Sequence, residues 1–168
     1  MKIRSLAETD YNQILPMLQA LHALHVKHRP DVFGATAQAL PPEEFDSLLC
    51  GEDTYCVVSE GEDGVLQGVC LAERRDKNSE DPRWRSRTLV YIKALYVPED
   101  YRKGAIGKAL VEEVRTRARQ SGVSCVELQV VLMPDGAFEF YQSIGFQPQL
   151  CSMTYRCDEK RRNDNDFI

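Results

Sequence analysis

The apolar run "RTLVYIKALYV" at residues 87–97 stops at Pro98 and soon gives way to a helix that opens between Gly104 and Gly107. Ile106, Leu110, Val114 and Ala118 then recur at every fourth position. That stripe predicts a helix laid on a sheet, because one apolar face must be buried. The free N–H groups and positive dipole end of such a helix point out past the C-terminal edge of the strand before it. Small residues there let the backbone come close to a phosphate. Arg102, Lys103 and Lys108 surround the glycines, so the stretch suits an anion.

The charge balance sharpens this. The chain carries 21 basic and 26 acidic side chains, a net charge of −5, which argues against a nucleic-acid-binding protein. Residues 101–119 run the other way, with Arg102, Lys103, Lys108, Arg115, Arg117 and Arg119 against Glu112 and Glu113, six minus two or +4. The three distal arginines read as a solvated helix face. Two familiar phosphate loops are excluded. Gly104 and Gly107 stand too close for G-x-x-x-x-G-K-[ST], with Ala109 after Lys108, and no G-x-G-x-x-G occurs.

The remaining pattern is mixed α/β. "KIRSLA" reads as a first strand, and Asp10 with Gln13 as a capping box opening a helix to about His28. Ile14, Met17, Leu18, Leu21 and Leu24 share one face of that helix, and Pro16 predicts an early kink. "PEEFDSLLC" reads as a short second helix. "TYCVVSE" and "VLQGVCLAE" flank "GEDG" as a hairpin. "RDKNSEDPRW" reads as a loop, "SCVELQVVL" as a strand, "DGAFEFYQSIG" as a short helix and "FQPQLCSMTYRC" as a final strand or pair. Residues 1–157 form one expected domain, and the polar 158–168 an expected frayed tail.

Two motifs carry a resemblance. Arg102-Lys103-Gly104-Ala105-Ile106-Gly107 resembles the R/Q-x-x-G-x-G/A loop of the GNAT N-acetyltransferase superfamily, which holds the pyrophosphate of acetyl-CoA. "AFEFYQSIGF" at 137–146 resembles that family's A-x-x-F-Y-x-x-x-G-F segment. Element order agrees from Ile3 to about Tyr155. The resemblance implies a twisted, mostly antiparallel sheet splayed into a V, flanked by about four helices and bulged near the end of "YIKALYV". It also implies acetyl-CoA in the cleft, with backbone groups of Leu95, Tyr96 and Val97 on pantetheine and thioester. Arg102, Lys103, Gly104, Ala105, Ile106, Gly107 and Lys108 would surround the pyrophosphate. The implied activity is transfer of an acetyl group to an amine of a small molecule or protein.

The same resemblance gives Tyr141 the role of acid toward the departing thiolate and a backbone N–H near Val97 that of oxyanion donor. Three positions depart from the family pattern. Ala105 replaces a glycine, which the loop tolerates if φ is negative. Pro134 stands where an asparagine is usual, and Lys93 and Ala94 where an acidic residue is common. The general base stays open among Glu73, Glu127 and a water chain. A CoA-binding or regulatory domain without turnover is the second reading.

Other features are read more plainly. The six cysteines have no C-x-x-C pair or zinc spacing and read as reduced structural thiols. His22, His25 and His28 lack a completing ligand, so no metal is expected. The resemblance implies that the first two helices and the link between them wall the acceptor site, which puts His25, His28, Phe33 and Trp84 among the expected acceptor contacts. With no signal-like start and no membrane-length apolar run, a cytoplasmic protein off the membrane is expected. The oligomeric state stays open, a homodimer among the options.

Overall fold

A computed structural model describes residues 1–36, 38–51, 53–102, 104–123, 125–134, 136–155 and 157; Lys103 and the tail at 158–168 lie outside the described residues. The strands are β1 (Lys2–Ser5), β2 (Val57–Glu60), β3 (Leu66–Lys77), β4 (Arg87–Tyr96) and β5 (Val126–Leu128). The helices are α1 (Tyr11–His28), α2 (Pro42–Cys50), α3 (Ile106–Gln120) and α4 (Ala137–Ser143). The strands lie side by side in chain order as one sheet. β1 to β4 pair antiparallel, and β5 joins β4 in parallel.

Both faces of the sheet are covered, which explains why β3 reads as a nearly unbroken apolar run. Val57, Cys70, Ala72, Val90 and Ile92 meet Ile106, Leu110, Val111, Val114 and Ala118 of α3 on one face. Val58, Val69 and Leu71 meet Ile14, Met17 and Leu18 of α1 and Phe45 and Leu48 of α2 on the other. Gly68 lets α3 press close. A Cβ there would stand 3.1 Å from Ile106 and Leu110 side-chain carbons and 3.2 Å from the Tyr96 carbonyl oxygen.

The register of β4 against β3 slips by one residue, from Leu71↔Ala94 to Ala72↔Ile92, so Lys93 is the inserted residue of a bulge. Val90 and Ile92 face α3 before the bulge, and Leu95 and Val97 face it afterwards. Lys93 and Ala94 consequently turn toward α1 and α2 together, two successive side chains on one face.

Three expectations need correction. Asp10 makes no side-chain cap on α1. Its carboxylate turns back to Arg4 at 2.7 and 2.8 Å and to the Ala7 N–H at 2.9 Å, because a buried charge is better neutralised by a bidentate guanidinium than by a helix end. Gln13 instead ties α1 to the β2–β3 hairpin by accepting the Leu66 N–H at 3.0 Å. The strand expected at 124–132 shrinks to Val126–Leu128, since β4 offers partners only as far as Ile92. Among the described residues the final strand is not seen. Residues 147–155 are irregular and exposed, with Leu150, Met153 and Tyr155 open to solvent, and Pro148 removes one ladder donor.

Candidate active site

The pairing of β4 with β5 ends at Ile92↔Leu128, and β4 continues to Tyr96 with β3 as its only described neighbour. This is the fork of the V. Just past it, a short turn at Glu99–Tyr101 leads to Arg102, whose Nε donates to the Val97 carbonyl at 2.9 Å. The Arg102 guanidinium also lies over the Tyr96 ring, 5.7 Å from its centre. Arg102 therefore folds back on the end of β4 and braces the turn.

α3 starts without a side-chain cap. Ala105 is its N-cap residue, with φ −80° and ψ 2°, so the alanine sits comfortably where the family loop has glycine. The first bond that closes on the cap runs from the Ala109 N–H to the Ala105 carbonyl at 2.8 Å. The N–H groups of Ile106, Gly107 and Lys108 thus belong to the turn whose donors have no carbonyl within the helix. Gly107 is squeezed. A Cβ on it would lie 3.3 Å from the Phe140 ring and 3.9 Å from a Val97 methyl. The end of β4, the start of α3 and the helix α4 converge there.

Tyr141 follows Phe140 on α4. Its half-buried ring packs between Phe140 and Phe146, with centroids at 5.2 and 5.5 Å, against the cluster that holds Leu95 and Val97. Leu95, Tyr96, Val97, Arg102, Gly104, Ala105, Ile106, Gly107, Lys108 and Tyr141 therefore gather around the fork, α3 and α4. Each is contributed by the elements the motifs placed them on.

Across the sheet lies a cavity of about 180 Å³ between α1, α2 and the bulge. His22 and His25 of α1, Glu44 of α2 and Lys93 supply its polar groups, and Leu18, Leu71 and Ala94 its apolar wall. A His22 ring nitrogen, Nε2, stands 2.8 Å from the Gly34 carbonyl, and His25 stacks on Phe33 with centroids 4.9 Å apart. Trp84 is exposed in the β3–β4 connection, and neither it nor His28 lines the cavity. Among the described residues no group of histidine, cysteine and carboxylate side chains has the arrangement of a metal site.

Charge at the bulge is dense. The Lys93 ammonium touches Glu44 and lies 3.7 Å from Glu73, which also accepts from Arg75 at 2.8 Å. The Arg75 guanidinium rests on the Tyr91 ring at 3.7 Å. Glu44 was not legible as a site residue, because nothing local in "PEEFDSLLC" points to a strand 49 positions away. Glu127, buried on β5, pairs with Lys77 at 2.7 Å and Arg87 at 2.6 Å. Burial opposes its charge, but those two cations outweigh it and hold the carboxyl below its usual range. Such a carboxylate is a poor base at neutral pH. Burial pushes the Cys56 thiol up to about 11 and the Cys70 thiol up as well, which leaves both un-ionised core side chains.

Known proteins share this architecture. The acetyltransferase (GNAT) family matches residues 18–146. Thialysine N-epsilon-acetyltransferase of Bos taurus is 26% identical over 149 residues, 86% of this chain and 83% of that protein. A mutant of the BH1408 protein from Bacillus halodurans superposes with a TM-score of 0.86 at 28% identity, covering 93% of this chain and 99% of that one. The aminoglycoside N-acetyltransferase AAC(6')-Iy, solved with CoA, shares the fold at a TM-score of 0.68 and 15% identity, covering 92% and 98%. With a family match that spans most of its length, this chain belongs to the GNAT acetyltransferase family.

Proposed function

We propose that this protein is an acetyl-CoA-dependent N-acetyltransferase that moves the acetyl group to a primary amine by direct attack on the thioester. The observation that carries the reading is the uncapped start of α3 set directly beyond the fork of β4 and β5. There the free N–H groups of Ile106, Gly107 and Lys108 would take the cofactor's pyrophosphate, together with the backbone of Gly104 and Ala105 and the charge around Arg102 and Lys103. The backbone of Leu95, Tyr96 and Val97 would run beside pantetheine, as an extra strand pairs with an open edge. A described relative solved with CoA supports the cofactor, and the thialysine enzyme supports an amine acceptor.

The chemistry then follows from position. The acceptor must lose a proton before attack; the C–N bond forms as the C–S bond breaks, and the leaving thiolate takes a proton. Tyr141, on the helix that abuts α3 and Val97, is the residue we assign as that acid. A backbone N–H at the end of β4 would hold the oxyanion. Glu127, whose carboxyl is held below its usual range, is the weakest of the candidate bases, and our reading keeps Glu73, Glu44 and water. We place the activity in one domain over 1–157, in the cytoplasm.

A second reading, a CoA-binding regulatory domain without turnover, is favoured by one observation: the bulge carries Lys93, not a carboxylate. Release of free CoA thiol from acetyl-CoA in the presence of a panel of amines separates the two. Thiol release matched by an acetylated amine in the mass spectrum supports transfer. Tight CoA binding with no release across the panel supports the regulatory domain and overturns it.

A further inference from the structure

Lys93 stands at a singular place. It is the residue that the bulge inserts, and its ammonium is held in the cavity between α1 and α2 by Glu44, with Glu73 close behind. The two carboxylates differ in what they have besides Lys93. Glu73 keeps Arg75 at 2.8 Å, whereas Glu44 has no other ion pair among the described residues. The wall beside them is apolar, on Leu18, Leu71 and Ala94. An aliphatic chain ending in an ammonium on Glu44 is therefore what this cavity already contains, supplied by the protein itself.

We infer that Lys93 is an internal stand-in for the acceptor: its ammonium keeps the seat that an aliphatic primary ammonium takes, and Glu44 is the carboxylate that recognises it. This rests on the acetyl-transfer reading and narrows its acceptor to a straight-chain amine or diamine with no anionic group near the reacting nitrogen. The opposite assignment, Lys93 as the holder of an acceptor's carboxylate, is disfavoured by charge. An acceptor's carboxylate would have to settle beside Glu44 on the ammonium that Glu44 already touches, and like charges at such distances repel. When the acceptor displaces Lys93, its ammonium releases one proton through Glu44 to water. The neutral nitrogen then forms the C–N bond to the acetyl carbon as the C–S bond breaks, and the thiolate leaves to be protonated. Lys93 is thus a specificity-determining residue that competes with substrate and takes no part in bond making.

Calorimetric titration with 1,4-diaminobutane, in the absence of acetyl-CoA, tests this on the full chain. Lys93→Met keeps an unbranched apolar stem one atom shorter and removes the charge, so the diamine should bind on the order of fivefold more tightly than to the wild type, the upper range for one partly exposed ion pair. Adding Glu44→Gln to Lys93→Met should abolish the gain. Should Lys93→Met fail to melt cooperatively, Lys93→Gln carries the same expectation. Weaker, equal or undetectable binding in the Lys93 variant overturns the proposal, as does tighter binding of 4-aminobutyrate to the wild type than to the variant. Because acetyl-CoA is absent, this outcome is independent of thiol release: failure of turnover with a tightened diamine would sink the transferase reading and leave the seat intact.

Discussion

Two side chains in the cleft half of the molecule are fixed by opposite means, one by charge and one by aromatic packing. Glu127 is buried but ionised, because Lys77 and Arg87 bring two cations to it from β3 and β4. Its folded-state affinity for protons is lowered, so the carboxylate contributes stability above the unfolded carboxyl range and loses it as pH falls through the folded value. Glu127→Gln should therefore lose about 1 kcal/mol at pH 7, a modest figure because both partners are partly exposed. The gap between urea melts of the two proteins should begin to close as pH falls past the unfolded carboxyl value of roughly 4.3 and vanish only below the lowered folded value. A gap that persists in acid would mean that shape, and not charge, is what Glu127 provides. Tyr141 is held between Phe140 and Phe146, so Tyr141→Phe preserves the packing and removes only the hydroxyl. Acetyl transfer should then drop by about 10²-fold with CoA affinity nearly unchanged. A full single-turnover rate together with a lower melting midpoint would return the tyrosine to a structural role.

At the scale of elements, two glycines at the start of α3 do different things. Gly104 is exposed and has room, with the nearest atom to an added Cβ at an ordinary 3.6 Å, whereas Gly107 is pressed on Phe140. Gly104→Glu should consequently leave the melting midpoint within a degree or two while lowering CoA affinity by about tenfold or more, since it sets a negative charge before an open helix end. Gly107→Ala should instead perturb the seat of α4 and lower the midpoint itself. Equal CoA affinity in the Gly104 variant, by calorimetry, would show the phosphates to lie elsewhere.

The contrast also explains which parts of the protein could be read from its residues. The hairpin at "GEDG", the α3 stripe and the glycine loop are local patterns, and each appears where expected. The bulge at Lys93 is not local: its register is set by β3, and only the slip from Leu71 to Ala72 turns Lys93 and Ala94 to the same side. The pairing of Glu44 with Lys93 depends on that slip and was invisible for the same reason. The final strand failed in the other direction. "FQPQLCSMTYRC" alternates well enough, but alternation creates no strand without a neighbour to pair with, and none is present among the described residues. At Asp10 a short-range capping pattern lost to Arg4, which only the fold of β1 brings within 2.7 Å.

For the molecule as a whole, the two faces of the sheet divide the work. The side covered by α3 and α4 carries the proposed cofactor edge, and the side covered by α1 and α2 carries the cavity with Glu44 and Lys93. Among the described residues no helix is long and apolar enough to cross a membrane. A ligand that binds only the folded chain raises its melting midpoint by mass action, so acetyl-CoA and CoA should both do so and ATP and NAD at equal concentration much less. An equal rise with ATP would indicate a general anion site.

The brevity of the contact between β4 and β5, three residue pairs, has a further consequence for how the molecule comes apart. β3 and β4 share nine paired positions from Val69 to Lys77, so that hairpin should open only when the whole protein does. β5 has far less to hold it, and local opening there should be the easiest way to expose backbone amides within the sheet. Hydrogen exchange should accordingly be faster at Val126–Leu128 than at Val69–Ala72 in the free protein. A cofactor spanning the fork would act as a brace between the two arms, and its binding should slow exchange at β5 while leaving the already protected β3 amides unchanged.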